Sequence, residues 1–174
     1  SYKLGERDDF YKTRKSYGGT IPWVGSHGVD WIRWFSDQEF LSVYASHSKK
    51  HNKNHGDLEV SALCHFNLSN EVFASLSIDY LRPNNAPTHD DDRLRVVGTT
   101  GIIEVINNKV LLINDEVSGI REVPLEQDGS IFLDFLKEVE GKGKCMISAE
   151  DSFEVTRICL KARQSADEQR VIFI

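Results

Sequence analysis

Residues 58–80 read LEVSALCHFNLSNEVFASLSIDY and form two runs in which apolar and polar side chains alternate. Alternation places successive side chains on opposite faces of an extended chain, so each run predicts a half-buried β-strand. Ser69 and Asn70 separate the two runs and favour a reverse turn. The stretch therefore predicts an antiparallel hairpin with one face in a hydrophobic core.

Regular elements are also predicted on both sides of this hairpin. Further strands are predicted at about residues 41–48, 94–98, 102–106, 110–113, 119–123 and 171–174. Helices are predicted from about Trp23 to Phe35, from Ser130 to Gly141, and after the capping sequence Ser148–Asp151. This order predicts an α+β fold: an open, mainly antiparallel (mixed) β-sheet with helices packed on one face.

The length of 174 residues suits one domain and is too short for a nucleotide-binding domain plus a full substrate domain. Residues 1–17 are predicted to be an N-terminal helical or linker segment, and residues 18–174 a single α+β domain. The first residues are charged and lack a Met, which favours a segment cut from a longer chain.

Composition excludes several classes of function. The net charge of −6 argues against a nucleic-acid groove and against a polybasic membrane surface. No apolar run reaches the roughly 18–20 residues that span a bilayer. The three cysteines form no CxxC motif, which favours reduced thiols in a cytoplasmic protein.

The strongest candidate site lies in residues 17–31, YGGTIPWVGSHGVDW. On a helix, His27 and Asp30 are three residues apart and share one side. A carboxylate beside an imidazole orients the ring and prepares it for proton transfer. The alternative from the residue types alone is a semi-buried structural histidine.

Aromatic residues and glycines surround this histidine in the sequence. Trp23 and Trp31 are each four residues from His27, so the imidazole is predicted to stand between aromatic rings. Gly25 and Gly28 keep one flank of the helix low, so that a ligand or another backbone can approach.

Three segments resemble one protein family. GGTIPWVGSHGVDWIRW (18–34) resembles the GG…(D)xGxHxxD segment that opens the C-terminal domain of the glucose–fructose oxidoreductase / inositol dehydrogenase (Gfo/Idh/MocA) family. RLRVVGTTGIIEV (93–105) resembles a hairpin of that family, and residues 147–166 resemble its C-terminal helix. Together the segments stand in the order of the family over roughly residues 17–174.

The resemblance implies the C-terminal, substrate-binding and oligomerisation domain of an NAD(P)-dependent oxidoreductase acting on a sugar, polyol or inositol-like hydroxyl. His27 would be the catalytic proton-transfer residue and Asp30 its neighbour, while Tyr17, Trp23 and His89 are candidates for substrate contact. NAD or NADP would bind an N-terminal Rossmann domain, because this sequence holds neither GxGxxG nor Glu-Lys-Pro. The isolated chain is therefore expected to hold no cofactor and to be inactive.

Two features leave alternatives open. Many members of the family carry Asp where this sequence has Trp23, which favours a non-catalytic dimerisation or small-ligand-binding module as the alternative function. His47, His51 and His55 recur every four residues, so a metal site is a minor alternative to the solvated loop that their basic, Asn-rich context predicts.

A partner is predicted for the open face of the hairpin. That face carries Leu63, Phe73 and Leu81 beside serines, and half-apolar open faces are commonly interfaces. A homodimer through this face, or cover by another domain, is expected.

Overall fold

The computed structural model describes residues 1–125 and 129–174 and confirms the α+β fold. Its strands are β1 (Phe40–Ser48), β2 (Ser61–Leu68), β3 (Phe73–Asp79), β4 (Leu94–Gly98), β5 (Gly101–Ile106), β6 (Lys109–Asn114), β7 (Val117–Val123) and β8 (Ile172–Phe173). Its α-helices are α1 (Arg14–Tyr17), α2 (Thr20–Trp23), α3 (Gly25–Ser36), α4 (Ile131–Val139) and α5 (Ala149–Glu168). None of these helices is long and apolar enough to cross a membrane.

The strands form two antiparallel sheets of four strands, where the sequence predicted one open sheet. The first sheet has the order β3-β2-β1-β8 and the second the order β4-β5-β6-β7. The chain likewise divides into two compact units, residues 1–90 with 153–174 and residues 91–152. The two sheets share no strand pair: β3 pairs with β2 and β4 with β5, and in the chain between β3 and β4, Leu81 and Asp90 form isolated bridges to the N-terminal segment.

The predicted hairpin of β2 and β3 builds the core of the first unit. Its register pairs Cys64 with Leu76 and Phe66 with Ala74, and Asn70 adopts the left-handed φ of +53° that the turn requires. Every second residue of β2 is buried, as the alternation predicts. Ile158 and Cys159 of α5 pack into the same core. Burial raises the pKa of the Cys64 and Cys159 thiols to about 12, so both remain protonated at neutral pH.

Helix α3 lies directly against β3. A Cβ atom at Gly25 would stand 2.6 Å from Ile78 Cδ1, and one at Gly28 would stand 2.4 Å from Leu76 Cδ1. A side chain at either position would displace these methyl groups, so the two glycines let the helix approach the sheet this closely. The sequence predicted that a ligand or another backbone could approach this flank of the helix. In the structure, the flank is occupied by β3.

Residues 1–17, predicted to be a helical or linker segment, pack into the first unit. Leu4 and Tyr17 are buried in a second cluster with Leu58, Val60 and Tyr80. The amide of Tyr2 donates to the carbonyl of Asp79 at 2.8 Å, which extends the edge of the sheet. The segment packs there because its few apolar residues are buried in this cluster, although most of its residues are polar.

The second unit carries several predicted turns and caps. Asn107 and Asn108 have φ values of +51° and +59° in the tight turn between β5 and β6. The Ser130 hydroxyl accepts from the Leu133 amide at 3.4 Å at the start of α4. Ser148 and Asp151 exchange reciprocal hydrogen bonds of 3.0 Å, which confirms the capping box.

Candidate active site

Helix α3 presents His27 and Asp30 on the side away from the sheet. Helical residues advance by about 100°, so the flank formed by Gly25 and Gly28 lies roughly opposite His27. His27 is exposed and Asp30 is half-buried. No hydrogen bond joins the two side chains within the described part of the chain. Both side chains therefore lie on a face of α3 that is at least partly accessible to solvent.

The sequence predicted that Trp23 would stand beside His27, but in the structure its ring packs on other aromatic rings. The helix is interrupted at Val24, and the Trp23 ring contacts Phe10 and Tyr11, with ring centroids 5.5 and 5.6 Å away. Trp34, in contrast, is 61% exposed one turn beyond Asp30. On the side of α3 that carries His27, Trp34 therefore presents an exposed aromatic ring.

Tyr17, expected to contact substrate, is buried with only 3% of its surface exposed. Its hydroxyl donates a hydrogen bond to a carboxylate oxygen of Glu59. The ring belongs to the cluster around Leu58 and Tyr80 rather than to a surface pocket.

Glu59 is the centre of a polar network that the sequence did not reveal. Its side chain is 1% exposed, and Arg14 forms a salt bridge with its Oε1. The Thr20 amide donates to its Oε2 at 3.1 Å, and the Thr20 hydroxyl donates to its backbone carbonyl at 2.6 Å. Asp167 of α5 accepts from the other terminal nitrogen of Arg14 at 2.9 and 3.0 Å. These bonds connect α1 and α2 with the chain before β2 and with the end of α5.

The network holds Glu59 ionised. Burial alone would raise the pKa of this carboxyl, but hydrogen bonds from Tyr17 and Thr20 and the charge of Arg14 lower the pKa below its ordinary value. Burial, followed by the Glu59 carboxylate, raises the pKa of the Tyr17 hydroxyl. Burial lowers the pKa of His47, whose Nε2 lies 3.4 Å from Asp167, so neutral imidazole is favoured there.

The remaining candidate histidines lie elsewhere. The His89 ring contacts Tyr2 at a centroid distance of 6.2 Å, in the chain between β3 and β4. His51 lies in the predicted loop between β1 and β2, and His55 Nδ1 is 2.7 Å from the Asn52 carbonyl. Over residues 1–125 and 129–174, no three His, Cys, Asp or Glu side chains converge as metal ligands.

A shallow depression of about 490 Å³ lies on the open face of the first sheet. Ser46, Leu63, Ser77 and Asp79 are among the residues that line it. Its hydroxyl groups belong to adjacent strands, since Leu63 pairs with Ser46 on one side and with Ser77 on the other. His27 is not among the residues that line it.

Comparisons with known proteins give one family. The family model for the GFO/IDH/MocA C-terminal domain matches residues 1–104. No curated protein matches the chain.

Solved structures of proteins about twice as long as this chain contain the same fold. A protein of Thermotoga maritima, provisionally named an oxidoreductase, is 63% identical with a TM-score of 0.96, over 99% of this chain and 52% of that protein. Aldose-aldose oxidoreductase from Caulobacter crescentus, complexed with glycerol, is 17% identical with a TM-score of 0.79 over 97% of this chain and 52% of that one. Levoglucosan dehydrogenase, in complex with NADH and L-sorbose, is 16% identical with a TM-score of 0.79 over 100% and 55%. This chain spans about half the length of each.

Proposed function

Since the chain belongs to the GFO/IDH/MocA family as a C-terminal domain, we propose that it supplies the substrate side of an NAD(P)-dependent oxidoreductase acting on a sugar, polyol or inositol-like hydroxyl. The observation that carries the proposal is the accessible face of α3 with His27 and Asp30. The names of two similar proteins, an aldose-aldose oxidoreductase and a levoglucosan dehydrogenase, support a carbohydrate-like substrate.

Within this proposal, the chain performs the proton side of the reaction. Oxidation of an alcohol to a carbonyl removes a hydride from carbon, which bound NAD(P)+ would accept, and the hydroxyl proton, which the His27 imidazole accepts. Asp30 lies one turn further along the same helix, where its charge stabilises the imidazolium that forms. Small changes among polar side chains around the substrate then set which hydroxyl compound is accepted.

The described residues of this chain do not fit a dinucleotide site of their own. Every strand pair among them is antiparallel, whereas the Rossmann site needs parallel strands and a glycine-rich turn before a helix. We therefore assign NAD or NADP to an N-terminal Rossmann domain of the full-length protein. Covering the His27 side of α3 with that domain would also bury part of Trp34. Three free thiols favour a reducing, cytoplasmic location.

Replacing His27 in the full-length protein tests this function. With saturating NAD or NADP and a panel of aldoses, polyols and inositols, wild-type protein is expected to reduce the cofactor with at least one compound. His27→Ala is expected to lower kcat by about 10²–10⁴-fold, because the general base is lost. His51→Ala, in an exposed loop, is the matched control and should leave kcat unchanged.

Two outcomes would contradict the proposal. Unchanged turnover in His27→Ala would remove this residue from the reaction. A wild-type protein that reduces neither cofactor with any compound of the panel would favour the non-catalytic dimerisation or ligand-binding module instead.

We also infer that the open face of the first sheet forms a homodimer. Leu63, Phe73 and Leu81 on this face are 55%, 66% and 54% exposed. The His65 ring stacks on Phe73 at a centroid distance of 6.4 Å, which adds a second flat ring to this face. A two-fold axis through such a face pairs it with its own copy, and both apolar surfaces are buried at once.

Light scattering on the full-length protein tests the dimer. Leu63→Glu would place two carboxylates near the two-fold axis, so the measured mass is expected to fall from that of a dimer to that of a monomer. Ile120→Glu changes a residue of the second unit that is 67% exposed, more than Leu63, and should leave the dimer mass unchanged. A dimer that survives Leu63→Glu would rule out this face.

A further inference from the structure

The Glu59 side chain directs its hydrogen bonds to one short stretch of chain. Its carboxylate accepts from Tyr17, the Thr20 amide and Arg14, all within seven residues of each other. The Glu59 backbone continues the pattern, because its carbonyl accepts from the Thr20 hydroxyl and its amide donates to the Tyr17 hydroxyl at 3.3 Å. Both the side chain and the backbone of Glu59 therefore hold the segment from Arg14 to Thr20.

The same segment also makes contacts with α5. Arg163 donates to the Gly18 carbonyl at 2.6 Å, and its Cδ lies 3.2 Å from the position of a Cβ on Gly19. Gly18 and Gly19 have φ values of +82° and +107°, so this turn uses backbone conformations that other residues rarely adopt. A turn of two such glycines is intrinsically free to move, and contacts with Glu59 and α5 restrict it.

The restricted turn leads directly into the helix that carries His27. Thr20 is the first residue of α2, which has only four residues, and Val24 alone separates α2 from α3. A displacement of Thr20 is therefore passed to the first turn of α3. The glycine flank fixes how close α3 lies to the sheet, whereas the bonds to Glu59 fix where the helix begins.

A buried charge adds little to the stability of a fold. Removing a carboxylate from water costs several kcal/mol, and well-packed apolar side chains commonly serve as well as a buried ion pair. A fully hydrogen-bonded buried network instead favours one arrangement of its members over others. The contribution expected of Glu59 is thus geometric.

We propose that Glu59 is a positioning residue: its buried carboxylate clamps the turn of residues 17–20 and so fixes the orientation of the α3 face that carries His27 and Asp30. The role assigned to those two residues rests on the function proposed above. The clamp itself rests only on contacts within this chain.

NMR spectroscopy of the full-length protein tests the clamp. The three tryptophans of this chain, Trp23, Trp31 and Trp34, all lie on α2 and α3, so their indole N–H signals report on this helix pair. Glu59→Gln keeps the shape of the side chain and removes its charge. We expect it to shift or broaden these signals and the His27 ring signal, at a temperature far below unfolding. Glu116→Gln, at an exposed turn between β6 and β7, should leave them unchanged.

Kinetics supply the second readout. A displaced His27 is expected to lower kcat by about 10²-fold or less, with a smaller change in KM, because misplacement of a catalytic group acts on the reaction step. If Glu59→Gln only lowers the melting temperature and leaves the indole and His27 signals unchanged, Glu59 is structural and the proposal is overturned.

A second variant keeps the test decisive if Glu59→Gln does not fold. Tyr17→Phe removes the hydroxyl that donates to the Glu59 carboxylate, and it should shift the same signals. Unchanged signals in a folded Tyr17→Phe would overturn the proposal. The NMR result is independent of turnover: shifted signals in a protein that does not need His27 would retain the clamp and reject the catalytic role.

Discussion

Phe66→Ala is expected to lower the free energy of unfolding by about 3–5 kcal/mol, measured by urea denaturation of the 174-residue chain. Phe66 has no exposed surface and packs edge-to-face on Phe40 at a centroid distance of 5.1 Å. Truncation loses the transfer free energy of the ring and leaves a cavity between β1, β2 and α5. Tryptophan fluorescence follows the transition, since all three tryptophans lie in the same unit.

Phe153→Ala is the matched control for this prediction. Phe153 lies on α5 in the same unit but is 75% exposed, so its truncation should cost less than about 1 kcal/mol. Equal losses in the two variants would mean that the burial of Phe66 adds nothing to the stability of the core.

Arg14→Met is expected to cost about 3 kcal/mol at neutral pH, because it leaves the Glu59 carboxylate buried without its cation. The Tyr17 and Thr20 donors remain, which limits the loss. Lys109→Met breaks an exposed pair with Glu122, both side chains being 56% exposed, and should cost less than about 1 kcal/mol. A loss in Arg14→Met no larger than in this control would contradict an ionised, buried Glu59.

The pH dependence of Arg14→Met has a definite sign. In the wild type, the folded-state pKa of Glu59 is lowered, so its ionised form stabilises the fold above the unfolded pKa and this stability is lost as the pH falls through the folded value. Without Arg14 the folded pKa rises. The deficit of the variant is therefore complete at neutral pH and shrinks as acid protonates Glu59 in both proteins. A deficit that is constant with pH would exclude this cause.

Local patterns in the sequence predicted the local structure well. Alternation between Leu58 and Tyr80 predicted the hairpin, and Asn107 with Asn108 predicted the next tight turn, because strand periodicity and turn chemistry depend on neighbouring residues. Local patterns could not predict which strand forms the edge of the first sheet. Ser42 pairs with Phe173, and no local pattern encodes a partner so distant in sequence. The same limit applies to the division into two sheets.

The candidate site was predictable to a similar degree. The spacing of His27 and Asp30 and the resemblance around them identified the helix face. Glu59 escaped notice because a carboxylate between Leu58 and Val60 looks like the solvent-facing residue of an alternating strand. Its hydrogen-bond partners lie on α1 and α2, and Arg14 in turn bonds to Asp167 on α5, so only the tertiary structure brings these groups together.

The discontinuity of the first unit has a consequence for synthesis on the ribosome. The strands that contain Val43 and Phe66 are made early, but α5, which packs on the same core, follows only after residues 91–152. At about 5–20 residues per second, translation of that insertion takes several seconds. During this interval the nascent sheet exposes apolar side chains that α5 later covers. A chaperone that shields the nascent chain is therefore expected to raise the yield of folded protein most when translation is slow.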